Sequence, residues 1–163
     1  MKELVKKVIQ WAEDRNIIEG AKKTDQLHKL YQECGELSDS LCKGKCAKDD
    51  IGDITVVLII LAKQSGYVLD LDIDIDMSSQ EDRDVRKSEV KIMYFGLMSN
   101  VDLMRWGIDD LYLNPIKRTY KSLWHICHDL DYDIKDCLEI AYDDIKDRKG
   151  ILKNGVFIKE ADL

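Results

Sequence analysis

Two pairs of acids have a spacing that can do chemistry: Glu33-x-x-Glu36 and Asp50-x-x-Asp53, with 13 residues between the pairs. Residues three apart on a helix are neighbours, so each pair presents two carboxylates on one face. Glu33 lies one turn before Leu37, Asp50 one turn before Ile54, and Asp53 one turn before Val57. The acids therefore border apolar stripes. If the two helices form an antiparallel hairpin, the four carboxylates converge. Converging carboxylates repel one another unless cations intervene. Oxygen-only ligation suits Mg²⁺ or Mn²⁺. Magnesium shares its coordination shell with substrate phosphates, which points to phosphate-ester or anhydride chemistry. The same residues also suit plainer duties. Asp49, Asp50 and Asp53 near a helix start can cap it and complement its dipole. Glu33 and Glu36 can be solvated surface acids, and in a chain with 32 acids the spacing alone does not decide.

Other groups carry less. Cys42-x3-Cys46 and His125-x-Cys127-His128 are not a paired zinc spacing and lie in separate segments. Asp70, Asp72, Asp74 and Glu81 echo a calcium loop, but Ile75 stands where that loop needs glycine for its sharp turn. Trp11 can stack on a nucleobase and Asn16 can read its edge, although an aromatic on a helix more often belongs to the core.

The elements that must position these groups are helices. Leu4, Val5, Val8, Ile9 and Ala12 mark one face of a helix over residues 2–16, ended by Asn16 and Gly20. A second helix, capped by Thr24 or Asp25, carries the stripe Leu27, Leu30, Tyr31, Cys34, Leu37 and Leu41 and closes at Lys43-Gly44-Lys45. A third starts near residues 47–49, ends at Ser65-Gly66 and is apolar nearly all round, so it should be the central helix. Residues 69–76 alternate Leu or Ile with Asp and read as an extended acidic linker or edge segment. Helical periodicity returns over 81–106, with Val90, Met93, Tyr94, Leu97, Met98, Val101 and Met104 as the stripe. Asn114-Pro115 opens another helix to Leu130. A last helix covers 134–149, with Cys137, Leu138, Ile140, Ala141 and Ile145 inward. A short extended arm with a turn at Asn154-Gly155 follows.

Composition narrows the class. One proline and nine glycines in 163 residues favour long helices in one domain. A net charge of -7 argues against a nucleic-acid surface, which needs a Lys/Arg excess. A nucleotide site remains open, because metal ions can supply positive charge. The start lacks an apolar leader core, and the run 54–62 is too short to span a bilayer. Five cysteines follow no disulfide framework. A cytoplasmic chain with reduced thiols and no membrane partner is expected.

Residue by residue, Gln32-Glu33-Cys34-Gly35-Glu36-Leu37 followed by Asp49-Asp50-Ile51-Gly52-Asp53-Ile54 resembles the MazG-like signature, E-E-x-x-E followed by E-x-x-D. The stretch from Ile140 through Lys149-Gly150 to Lys159 is similar to the C-terminal segment of small MazG-like proteins of phages and bacteria. The opening Trp11-Ala12-Glu13-Asp14-Arg15-Asn16-Ile17-Ile18 also fits. The resemblance covers residues 2–68 and 131–160, and residues 70–130 read as an insertion of linker plus two helices.

The resemblance implies an all-α helical bundle, often completed as a homo-oligomer, here a dimer or tetramer. It implies hydrolysis of a (deoxy)nucleoside triphosphate to the monophosphate and pyrophosphate. Glu33, Glu36, Asp50 and Asp53 would be catalytic and hold Mg²⁺, with Mn²⁺ a substitute. Lys146, Arg148 and Lys149 would meet the phosphates, with Trp11 and Asn16 towards the base. Two departures matter. Gln32 and Asp50 both stand where the family usually has glutamate, which removes one charge and shortens one ligand. A nucleotide- or alarmone-binding regulator with weak or no turnover is therefore the rival expectation. A structural helical partner protein is a third.

Overall fold

The computed structural model describes residues 1–72, 90–105, 113–153 and 156–159. The chain is predominantly helical. Helix α1 (Lys2–Asp14) buries Val5, Val8, Ile9 and Ala12, the face expected from the apolar spacing. It stops two residues earlier than the periodicity suggests. Asn16 adopts a left-handed backbone, with φ of 57°, and a separate turn, α2 (Ile17–Gly20), follows.

Helix α3 (Lys23–Lys43) starts before its expected caps. Thr24 lies inside the helix, and Asp25 reaches back to accept the Lys22 N–H at 3.0 Å. That satisfies a donor which the first turn leaves open. Gly44, with φ of 63°, closes the helix as its freedom in the left-handed region allows. Residues 44–47 turn the chain back into α4 (Lys48–Gln64), which packs along α3. Helix α4 is buried around most of its circumference from Ile51 to Ala62, the central helix expected from its composition.

The described part of the Asp alternation, up to Asp72, is neither helix nor strand, and the Asp72 N–H donates to Asp70 Oδ1 at 3.1 Å. Leu69 and Leu71 are buried while Asp70 and Asp72 are exposed. The Tyr120 hydroxyl donates to the Leu71 carbonyl at 3.0 Å, so a side chain supplies what a partner strand would have supplied. Asp74, Ile75 and Glu81 lie outside the described residues, as does the Asn154-Gly155 turn.

Helix α5 (Val90–Met104) buries Met93, Leu97, Val101 and Met104. It packs on α6 (Leu113–Asp129), which contributes Ile116, Tyr120, Leu123 and Ile126. This pair is not a separate body. Helix α5 also packs on α3 and α6 on α4, and the buried side chains form one continuous core. The Tyr94 hydroxyl donates to the Cys34 carbonyl at 2.7 Å, tying α5 to α3.

Helix α7 (Ile134–Ile145) begins at Asp133, whose carboxylate accepts the Lys135 N–H at 2.8 Å. It lies against α4 at Gly52. A Cβ built there would sit 2.2 Å from the Cys137 carbonyl oxygen and 2.7 Å from the Ala141 Cβ, so only glycine permits this approach. Ile140, expected to face inward, is 41% exposed. The helix also ends four residues earlier than expected. Trp11 Nε1 donates to the Ile145 carbonyl at 2.8 Å. Arg15 donates to the carbonyls of Lys146 (3.2 Å) and Arg148 (2.7 Å). Acceptors that a helix end would leave open are thus taken by Trp11 of α1 and by Arg15 just after it. Strands β1 (Gly150–Lys153) and β2 (Val156–Lys159) pair antiparallel, with Leu152 opposite Phe157. The expected arm is a hairpin, joined to the bundle by the Leu152 N–H donating to the Arg15 carbonyl at 2.8 Å. No helix among the described residues is long and apolar enough to cross a membrane.

Candidate active site

A cavity of about 490 Å³ opens between α1, α3, α4 and the segment after α7. Two of the four acids reach its wall. Glu33 comes from α3 and Asp53 from α4. Glu33 is only 2% exposed, unusual for a charged side chain. One oxygen, Oε1, is paired with the Lys29 ammonium one helical turn earlier. The other, Oε2, is buried and has no hydrogen-bond partner. Such an atom bears a full desolvation cost and asks for a ligand.

Asp53 stands close enough for the two carboxylates to feel each other. Burial, then Glu33, then Asp49 push its carboxyl up to about 7, against the pull of Lys29 and Arg148. A carboxyl raised by desolvation and a like charge is a common mark of a functional pocket.

The other two acids of the quartet stand outside the wall. Glu36 is exposed and accepts from Gln32 Nε2 at 3.0 Å. Asp50 is half-buried. Asp49 belongs with these outer acids. Its carboxyl is raised by burial, then by Asp144 and Asp50, with Arg148 opposing and Glu36 adding. The carboxylates therefore form an inner pair, Glu33 and Asp53, and an outer group of Glu36, Asp49, Asp50 and Asp144. As the described side chains stand, no three His, Cys, Asp or Glu residues are gathered as a ready ligand set.

Among the basic residues expected to meet phosphates, Arg148 lines the cavity and is paired with Asp144. Lys146 points elsewhere and pairs with Asp143 at 2.7 Å. Lys149 is exposed and off the wall. Trp11 lines the cavity with its ring face stacked under the Arg15 guanidinium, 5.0 Å from the centroid. Asn16 is off the wall, and its amide donates to the Leu152 carbonyl at 3.3 Å. Trp11, Arg15 and Asn16 thus hold the C-terminal segment, and Arg148 with it, against α1.

Lys29 and Asp49 carry no weight in the acid spacing, yet both act on Asp53. Each had a signal. Lys29 is four residues before Glu33 and Asp49 four before Asp53, the spacing of helical neighbours. The far wall is apolar, made by Ile17, Val56, Val57, Ile60 and Leu152. One cavity thus offers a buried and a half-buried carboxylate, two cations and an apolar floor.

No family model matches the chain. It is similar to an uncharacterized 18.2 kDa protein from the rep-hol intergenic region of Haemophilus phage HP1, 46% identical over 67 residues. That match covers 40% of this chain and 41% of the phage protein. No solved structure matches.

Proposed function

We propose that the protein is a Mg²⁺-dependent hydrolase that cleaves a (deoxy)nucleoside triphosphate to the monophosphate and pyrophosphate, on a MazG-like helical bundle. One observation carries the reading. The buried Glu33 carboxylate has an unpartnered oxygen beside the raised Asp53 carboxyl, in a cavity also lined by Lys29, Arg148 and Trp11. The resemblance of the two acid pairs and of the terminal segments to MazG-like proteins points the same way.

The residues present fit a divalent cation. Glu33 and Asp53 would hold it from the inner wall, with Glu36, Asp49 and Asp50 at the outer edge. Bound Mg²⁺ supplies charge neutralisation at the phosphates and acidifies a water molecule. The chain's own side chains supply the rest. Lys29 and Arg148 place positive charge where phosphate oxygens gain negative charge. The apolar wall and Trp11 shelter the base and exclude water. An assembly of two or four copies in the cytoplasm belongs to the same proposal. Its support is the apolar surface of α5, where Ile92, Phe95 and Leu103 are exposed.

The test is pyrophosphate release across the common NTPs and dNTPs with Mg²⁺ or Mn²⁺. Metal-dependent release from at least one is expected, and no release from any would overturn the reading. The second reading, a nucleotide- or alarmone-binding regulator, is favoured by Lys29 already neutralising Glu33 and by Gln32 in place of an acid. Calorimetric nucleotide binding without turnover would establish it instead.

A further inference from the structure

Lys29 is the counter-charge of the inner carboxylates. Its ammonium is paired with Glu33 Oε1, and it opposes the rise at Asp53 more strongly than Arg148 does. The two partners differ in setting. The Glu33 side chain is 3% exposed, whereas that of Lys29 is 47% exposed. The lysine therefore reaches in from the cavity mouth on a flexible stem. It can withdraw into water at little cost, whereas Glu33 cannot. Arg148, the other cation on the wall, is engaged by Asp144.

We infer that Lys29 is a resident stand-in for the divalent cation, bound to Glu33 in the resting protein and transferred to the phosphate chain when cation and substrate enter. The inference rests on the metal-site reading above. An ammonium on Glu33 Oε1 and a divalent cation on the open Oε2 would be held a few bonds apart on one carboxylate, where they repel. While Lys29 occupies Glu33, cation binding alone is opposed. Polyphosphate offers Lys29 a new anion beside its present one, so cation and polyphosphate favour each other's entry, as linkage requires. Such a device keeps the inner carboxylates neutralised between turnovers and makes metal loading depend on substrate.

Calorimetry on the full chain tests this with Mn²⁺ alone and then with inorganic tripolyphosphate in the presence of Mn²⁺. Lys29→Met removes the charge. Lys29→Gln removes it while keeping a hydrogen-bond donor for Glu33, which guards against loss of the fold. Lys29→Arg keeps the charge. Circular dichroism verifies that each variant is folded. In the neutral variants Mn²⁺ alone should bind about tenfold tighter than in the wild type, and tripolyphosphate about fivefold weaker. Lys29→Arg should stay near the wild type in both. Unchanged or weaker Mn²⁺ binding in the neutral variants, or unchanged tripolyphosphate binding, would overturn the role of Lys29 and leave the metal site standing. No Mn²⁺ binding by any form, with or without tripolyphosphate, would overturn the metal site itself.

Discussion

The α3–α4 hairpin and the α5–α6 pair are both packed helix pairs in the same core, but they treat charge in opposite ways. Between α5 and α6 the buried stripe is Met93, Leu97, Val101 and Met104 against Ile116, Tyr120 and Leu123. The Tyr120 hydroxyl on this stripe is matched by the Leu71 carbonyl. Between α3 and α4 the chain buries Glu33 with an unpartnered oxygen, and half-buries Asp53 with a carboxyl pushed up to about 7. The first arrangement stabilises the fold. The second opposes folding unless a ligand neutralises it, and residues that cost stability in this way cluster where function needs them.

The contrast is sharpest if single substitutions move stability and activity in opposite directions. Asp53→Asn should reduce pyrophosphate release by roughly a thousandfold, since it removes an inner carboxylate from the charged centre. Steady-state assays with saturating Mg²⁺ would measure it, and a change below about tenfold would place the chemistry elsewhere. Leu97→Ala should do the reverse. Leu97 is fully buried, so its truncation should cost about 3 kcal/mol in urea unfolding while kcat stays within about twofold.

The third test uses pH. The Asp53 carboxyl is raised in the folded protein from an ordinary 3.8 to about 7. Between those values the folded state holds more protons than the unfolded chain. Stability of the metal-free protein should therefore fall as pH rises through this window and level off above it. Asp53→Asn should flatten the slope and gain about 2 kcal/mol above pH 7, a figure reduced for solvent screening at the cavity mouth. Added Mg²⁺ should recover a similar amount in the wild type. A wild-type profile that rises across the window would contradict the assignment. The smallest effect is expected at the outer group. Glu36→Gln should lower turnover by about tenfold, because Glu36 is solvated and off the cavity wall. A loss as large as that of Asp53→Asn would erase the distinction between inner and outer acids.

Much of this was legible in the chain. The stripes of α1, α3, α4 and α5 follow from helical periodicity, and the end of α3 from Gly44. The misplaced boundaries have local causes. Asn16 takes a left-handed conformation that periodicity does not register. Asp25 acts from inside the helix start. The last helix stops at Ile145 because Trp11 and Arg15, more than 130 residues earlier, take its terminal carbonyls. Ile140 reads as core by residue type, and its 41% exposure reflects which face Gly52 brings to α4.

By itself, the sequence determined the predominantly helical fold, the central place of α4 and the presence of two acid pairs on the helices flanking one turn. These depend on residues a few positions apart, where geometry is set by the helix itself. Only the tertiary structure decided that Glu33 and Asp53 line this cavity while Glu36 and Asp50 do not. It also decided that Lys29 occupies Glu33, and that Arg148, unlike Lys146, reaches the same wall. Those outcomes depend on how α4 seats against α3 and α7, and on how α1 fastens the C-terminal segment. Burial and mutual repulsion of charges exist only once distant segments meet.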